Sequence, residues 1–237
     1  MISSPTSTDL WPGEYRWSGA QKPKLLVLFA HGAGAGMDHP FMAAMAEQLA
    51  DADTAVLRFE FDYMATARAQ QRRRPPDRLP NLVDCFQRWL VAAQNAHPEA
   101  TLVLMGKSMG SRVAALCAGA EVTAACGVMP AGVIALGYPF HPVGKRDPEQ
   151  WRWQPLQACT APLLILQGER DNFGHREEID EARLSASMPA GSRLHWLTDG
   201  DHSFVPRKRS GLTEQQLLSE ASQQAGAFIE SLIEKSE

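Results

Sequence analysis

Leu102-Val103-Leu104-Met105-Gly106-Lys107-Ser108-Met109-Gly110 is the stretch whose reading decides the fold. A short apolar run rich in strand formers ends at Gly-x-Ser-x-Gly, and a segment compatible with a helix, Arg112 to Ala118, follows at once. A serine on such a strand-to-helix turn sits in a sparsely allowed backbone conformation, and small residues two before and two after it let strand and helix approach without clashing. Gly106 and Gly110 occupy those positions. The bland alternative is a glycine-rich turn carrying an ordinary surface serine. What separates the two is whether a base, an acid and backbone donors for an oxyanion occur at matching places along the chain.

Working outward, Leu25 to Ala30 is a continuous apolar run of the kind found in strands buried on both faces. It stops at His31-Gly32-Ala33-Gly34-Ala35-Gly36, and a helix is predicted from near Asp38, with Phe41, Met42, Met45 and Leu49 at helical spacing. Thr54 to Phe59 reads as the next strand and Glu60 to Pro80 as a long, mostly irregular loop. A helix then opens at Asn81, with Asn81 and Asp84 in capping-box-like positions, and ends before Pro98. Upstream, Glu14 to Trp17 is a short edge strand after a flexible tail over residues 1–12. Downstream come strands at Val133 to Tyr138, Pro162 to Leu166 and Arg193 to Leu197, a helix from Arg176 to Ser187, and a last helix opened by a Thr213-to-Gln216 capping box. The alternation implies an α/β fold: one doubly wound, mostly parallel sheet flanked by helices, with residues 1–237 forming a single domain.

Composition excludes several classes. Charged residues make up 21% and hydrophobic residues 44% of the 237, close to globular averages, so neither disorder nor a fibre is indicated. A net charge of −4 gives no general attraction to nucleic acid or to an anionic membrane. No apolar stretch reaches the roughly 20 residues that span a bilayer, and the N-terminus lacks the basic and apolar regions of a signal peptide. Cys85, Cys117, Cys126 and Cys159 are scattered without metal-ligand spacing and read as free thiols of a cytoplasmic protein. His31, His39, His141, His175 and His195 are not grouped either, so a structural or surface role is the default for each. No metal and no cofactor are expected. Gly32 to Met37 fails the dinucleotide fingerprint at its sixth position, Met37.

In an open parallel sheet, functional groups collect at the carboxyl ends of the strands. Gln167-Gly168-Glu169-Arg170-Asp171 follows one strand, and Thr198-Asp199-Gly200-Asp201-His202-Ser203-Phe204 follows the last. Ser108, Asp171 and His202 thus occur in the order nucleophile, acid, base. A serine hydroxyl is a poor nucleophile at neutral pH, so a neutral imidazole, His202, must accept its proton. A carboxylate then fixes the imidazole tautomer. Asp171 is preferred to Glu169, Asp199 and Asp201, read as solvated, because it stands at the strand-end Gly-x-x-Asp position. Two backbone N–H groups must meet the developing oxyanion. They are expected from Met109, after the nucleophile, and from Ala33, in the His31-Gly32-Ala33-Gly34 loop.

With these residues in place the chain resembles the α/β-hydrolase superfamily from about Lys24 to Glu230. His-Gly-Ala-Gly, Gly-Lys-Ser-Met-Gly-Ser-Arg and Gly-Asp-His-Ser-Phe are similar to a compact, cap-poor branch of bacterial serine hydrolases, shaped like dienelactone hydrolases but with a serine where those have a cysteine. The resemblance implies hydrolysis of a carboxylic ester or thioester through an acyl-enzyme on Ser108, with a small-molecule substrate. The rival readings are a non-catalytic binding protein that keeps the fold, or an acyltransferase using the same three residues. A short segment between Tyr138 and Pro162 leaves no room for a large lid. Arg68, Arg72, Arg73, Arg74 and Arg78, with Arg207, Lys208 and Arg209, can rim the same end of the sheet, and Arg72, Arg73 and Arg74 are the candidates for binding an anionic substrate. Lys107 is expected to face solvent or to pair with a carboxylate, with no catalytic role.

Overall fold

The continuous apolar runs become the inner strands of one sheet because residues buried on both faces leave no polar side to expose. The structure, a computed structural model, describes residues 10–233. The strands are β1 (Tyr15–Gly19), β2 (Leu25–Ala30), β3 (Thr54–Phe59), β4 (Thr101–Lys107), β5 (Gly132–Leu136), β6 (Leu163–Gly168) and β7 (Arg193–Leu197), arranged in the order β1-β3-β2-β4-β5-β6-β7. All neighbours are parallel except β1, which runs antiparallel to β3 at the edge. The order turns around between β2 and β4, which are paired from Leu25 opposite Thr101 to Ala30 opposite Gly106. Their carboxyl ends therefore lie side by side at the switch point, where open α/β sheets place their sites.

The helices are α1 (Pro40–Leu49), α2 (Asp62–Ala69), α3 (Leu79–Ala96), α4 (Met109–Cys117), α5 (Ala120–Cys126), α6 (Gln154–Ala158), α7 (Glu181–Ser187) and α8 (Glu214–Ile233). Side chains alternate across a strand, so β2 contributes to two cores. Leu26, Leu28 and Ala30 pack with Phe86, Trp89, Val113 and Ala114 of α3 and α4. Leu25, Val27 and Phe29 pack with Met42, Met45, Leu217 and Phe228 of α1 and α8. The predicted capping box of α8 is formed: Gln216 N–H donates to Thr213 Oγ1 at 3.2 Å and Thr213 N–H to Gln216 Oε1 at 2.8 Å.

Four expectations need correction. Residues 60–80 are not irregular throughout, since α2 lies within them; it buries only Tyr63, so it has no apolar stripe to betray it. Helix α3 begins at Leu79 with Arg78 as its N-cap, not at Asn81, because Pro80 falls in the first turn, where its fixed φ suits a helix and its missing N–H costs nothing. The segment from Arg176 to Ser187 divides into a 3-10 turn, Arg176–Glu178, and α7. The expected tail includes residues 1–9, outside the described residues, but Trp11 is not loose: its ring stacks on Trp89 at 6.0 Å. Between β5 and β6 the chain forms only a 3-10 turn (Pro148–Gln150) and α6, pinned by Trp151 stacked on Trp153 at 5.2 Å. Among the described residues, no large cap covers the carboxyl edge of the sheet.

Candidate active site

Ser108 leaves β4 at φ 53°, ψ −115° and immediately precedes α4. That conformation is sparsely allowed for an L-residue and persists only where its surroundings fix it. Here they do. A Cβ on Gly106 would lie 2.2 Å from the Gly110 carbonyl carbon, and one on Gly110 would lie 2.6 Å from His31 O, so both flanking glycines are required by close backbone approach. Ser108 N–H is tied to Leu136 O on β5 at 2.9 Å.

The three candidate side chains from three strand ends meet. His202 Nε2 lies 2.8 Å from Ser108 Oγ, and its Nδ1 lies 2.7 Å from Asp171 Oδ2. Asp171 is fully buried, and its other oxygen accepts the Phe173 N–H at 2.8 Å. A buried carboxylate at Nδ1 holds the proton on that nitrogen and leaves Nε2 as the acceptor facing the serine. Gln167, also fully buried, donates from Nε2 to Asp171 Oδ2 at 2.9 Å and fixes the carboxylate from behind. The competing carboxylates are engaged elsewhere. Asp199, expected in solvent, is buried and paired with Arg207, whose guanidinium holds its carboxyl well below the usual range. Glu169 accepts from Arg176 and from the Asp199 N–H, and Asp201 caps its own turn by accepting from Ser203 N–H and Val205 N–H.

The loop after β2 is braced from beneath. His31 is completely buried; its Nδ1 meets Gly32 O at 2.6 Å and its Nε2 accepts the Phe61 N–H at 3.1 Å. Burial pushes its ionisation down to about 4, so the ring is neutral with its proton on Nδ1. Tyr63, delivered by α2, donates its hydroxyl to Gly32 O at 3.3 Å and Ala33 O at 3.1 Å.

Ser108, His202 and Ala33 open into a largely apolar cavity of about 330 Å³, walled by Phe41, Met42 and Phe173. Ala33, Gly34, Ala35 and His39 also line a second, wider cavity of about 680 Å³ that reaches Arg72, Arg73 and Arg74. Those three are exposed, whereas Arg68 at the same rim is engaged by Glu14 at 2.9 Å and Glu60 at 3.1 Å. Arg207 is taken up by Asp199, so the expected second basic cluster is reduced to Lys208 and Arg209, which line neither cavity. Lys107 departs from expectation most. Its ammonium donates to His202 O at 2.5 Å and lies 5.5 Å from the ring of Phe41 and 5.5 Å from that of Phe204.

A family model described as an alpha/beta hydrolase domain matches residues 23–230. The chain belongs to the α/β-hydrolase family. A carboxymethylenebutenolidase from Rhodococcus opacus is 30% identical over 151 residues, covering 61% of this chain; the chain spans about half, 52%, of that relative. A dienelactone hydrolase from Anabaena variabilis superimposes with a TM-score of 0.66 at 17% identity, over 92% of this chain and 90% of that one. A lidless α/β serine hydrolase from Xanthomonas campestris gives 0.63 at 18% identity, over 88% and 86% of the two chains. At these identities the structural likeness speaks for the fold.

Three residues in contact with the candidate site have no place in it from the sequence alone: Gln167, Tyr63 and Lys107. Gln167 had one available signal, a polar residue closing an otherwise apolar strand four positions before Asp171.

Proposed function

We propose that this α/β hydrolase cleaves a carboxylic ester or thioester through an acyl-enzyme on Ser108. The observation that carries the reading is the continuous hydrogen-bonded chain Ser108 Oγ to His202 Nε2 at 2.8 Å and His202 Nδ1 to Asp171 Oδ2 at 2.7 Å. Ser108 Oγ attacks the substrate carbonyl carbon while His202 Nε2 takes its proton. The imidazolium, steadied by Asp171, returns that proton to the departing alcohol or thiol as the carbon–heteroatom bond breaks. Water then repeats the sequence on the ester of Ser108 and releases the acid.

Met109 and Ala33 are proposed to hold the oxyanion. Met109 N–H opens α4, where a helix leaves its first N–H groups without internal partners. The Ala33 assignment follows from the planar trans peptide, in which N–H and the preceding C=O point opposite ways. Gly32 O is drawn toward His31 and Tyr63, so Ala33 N–H points away from them. The apolar 330 Å³ cavity suits a short acyl group, and the wider one, with Arg72, Arg73 and Arg74, suits an anionic leaving portion. By their names, the carboxymethylenebutenolidase and dienelactone hydrolase relatives act on lactones, and internal esters fall within the proposed class. Four free cysteines fit a reducing, cytoplasmic setting.

The test is labelling with a fluorophosphonate, which phosphonylates an activated serine. Wild type should be labelled and should hydrolyse short-acyl esters, while Ser108→Ala should do neither yet melt as a folded protein. Failure of wild type to label, or equal labelling of the variant, would remove the reading.

A further inference from the structure

A lysine ammonium turned into the protein beside the candidate nucleophile calls for an account of what it does there. Its Nζ donates to the main-chain oxygen of His202 at 2.5 Å and faces the packed pair of rings of Phe41 and Phe204, 5.5 Å from each. Room for it is reserved from a third side. Gly137, directly after β5, has φ +60°, and a Cβ there would fall 2.8 Å from Lys107 Nζ, 3.2 Å from His202 O and 3.3 Å from His202 Nδ1. Four segments thus converge on one point: the end of β4, the turn after β5, the His202 loop and α1.

The rest of the His202 loop is secured differently. Asp201 closes the turn through Ser203 N–H and Val205 N–H, and the loop is tied to the end of β6 by Arg170 N–H donating to Gly200 O at 2.9 Å. Those bonds run within the loop and to β6, and the His202 ring is held by Ser108 Oγ and Asp171 Oδ2. The Lys107 bond holds the His202 main chain itself, and it starts from the residue adjoining Ser108. We propose that Lys107 is a positioning residue that fixes the His202 backbone relative to the nucleophile, an inference that rests on the hydrolase reading of Ser108.

The charge is compatible with this role. Burial pulls the ammonium down to about 8, while Asp171 and Asp201 hold it up, so at neutral pH it remains mostly protonated. Two aromatic faces add a favourable field for the cation, whose residue is half-buried and lines the 330 Å³ cavity.

The experiment compares wild type with Lys107→Met, which keeps the length of the stem and removes the donor. Fluorophosphonate labelling of Ser108 is followed over a range of probe concentrations, and the far-downfield imidazole proton bridging His202 and Asp171 is followed by NMR. The expected result is a maximal labelling rate at least tenfold lower (about 1.4 kcal/mol), half-saturation unchanged within about twofold, and loss or broadening of the downfield proton, with the thermal transition retained. Equal or faster labelling together with an unchanged proton would overturn the positioning role and leave the Ser108 reading intact. Absence of labelling in wild type would instead remove the hydrolase reading, and the proton signal alone would then decide whether Lys107 fixes the histidine. Should Lys107→Met fail to fold, Lys107→Leu takes its place, since it likewise removes the donor without touching His202; the same two readouts apply.

Discussion

Protonating His31 should unlock the loop that carries Ala33. In the fold its Nε2 accepts the Phe61 N–H; once protonated, that nitrogen becomes a donor facing another donor inside a fully buried pocket. Burial lowers the ionisation from 6.5 to about 4, so between these values the unfolded chain binds a proton that the folded chain does not. Stability from this residue is therefore present above pH 6.5 and lost as pH falls toward 4. Linkage at about 1.4 kcal/mol per tenfold makes the fold about 2.5 kcal/mol less stable at pH 4.5 than at pH 7.5 on account of His31 alone. Urea unfolding at the two pH values, on wild type and on His31→Asn, isolates the contribution, because other titrating groups are common to both. The variant should lose about 2.5 kcal/mol less than wild type over that interval. NMR titration of the His31 ring gives a check that needs no variant. Identical pH dependence in the two proteins, or a ring that titrates near 6.5, would refute the reasoning.

Gly110→Ala places a methyl carbon 2.6 Å from His31 O and 2.7 Å from Ala30 O, against backbone that cannot yield. A cost of about 3 kcal/mol and a melting temperature lower by roughly 6–12 °C are expected, and a near-native melt would contradict the packing. Gln167→Met keeps the volume but removes the donor behind Asp171, which should lower stability by about 1.5–3 kcal/mol in urea unfolding and slow labelling of Ser108; an unmoved midpoint counts against the bond. Replacing Arg72, Arg73 and Arg74 together by glutamate should lower kcat/KM for an anionic ester about tenfold relative to a neutral one at low salt, with the difference shrinking as salt rises. An unchanged ratio ends the case for those arginines as substrate ligands.

The parts legible in the sequence are those where one short stretch carries both its structure and its chemistry. Gly106 to Gly110 names the turn because the glycines it needs lie two residues either side of the serine. Asp171 and His202 could be chosen because a parallel sheet delivers strand ends to one edge, so position after a strand stood in for position in space. Helix α2 was missed because burying Tyr63 alone leaves no periodic apolar stripe, although that tyrosine braces the Gly32–Ala33 backbone. The start of α3 is hidden because a proline such as Pro80 can end a loop or occupy a first helical turn, as it does here. Lys107 shows the limit most sharply. A lysine ordinarily seeks water, and nothing local in the sequence reports that Gly137 and the His202 carbonyl, from two other segments, close around its ammonium.

The positive φ of Ser108 bears on how such a chain can evolve. Its backbone conformation is one that glycine adopts freely and serine only under constraint, at a cost of about 1–3 kcal/mol. Ser108 is therefore held against a standing gradient. Glycine at position 108 would relieve that strain, whereas a side chain at Gly106 or Gly110 is blocked by the neighbouring backbone. The turn can thus persist without its serine, and under the proposed function that serine is the first of its residues that selection would have to defend.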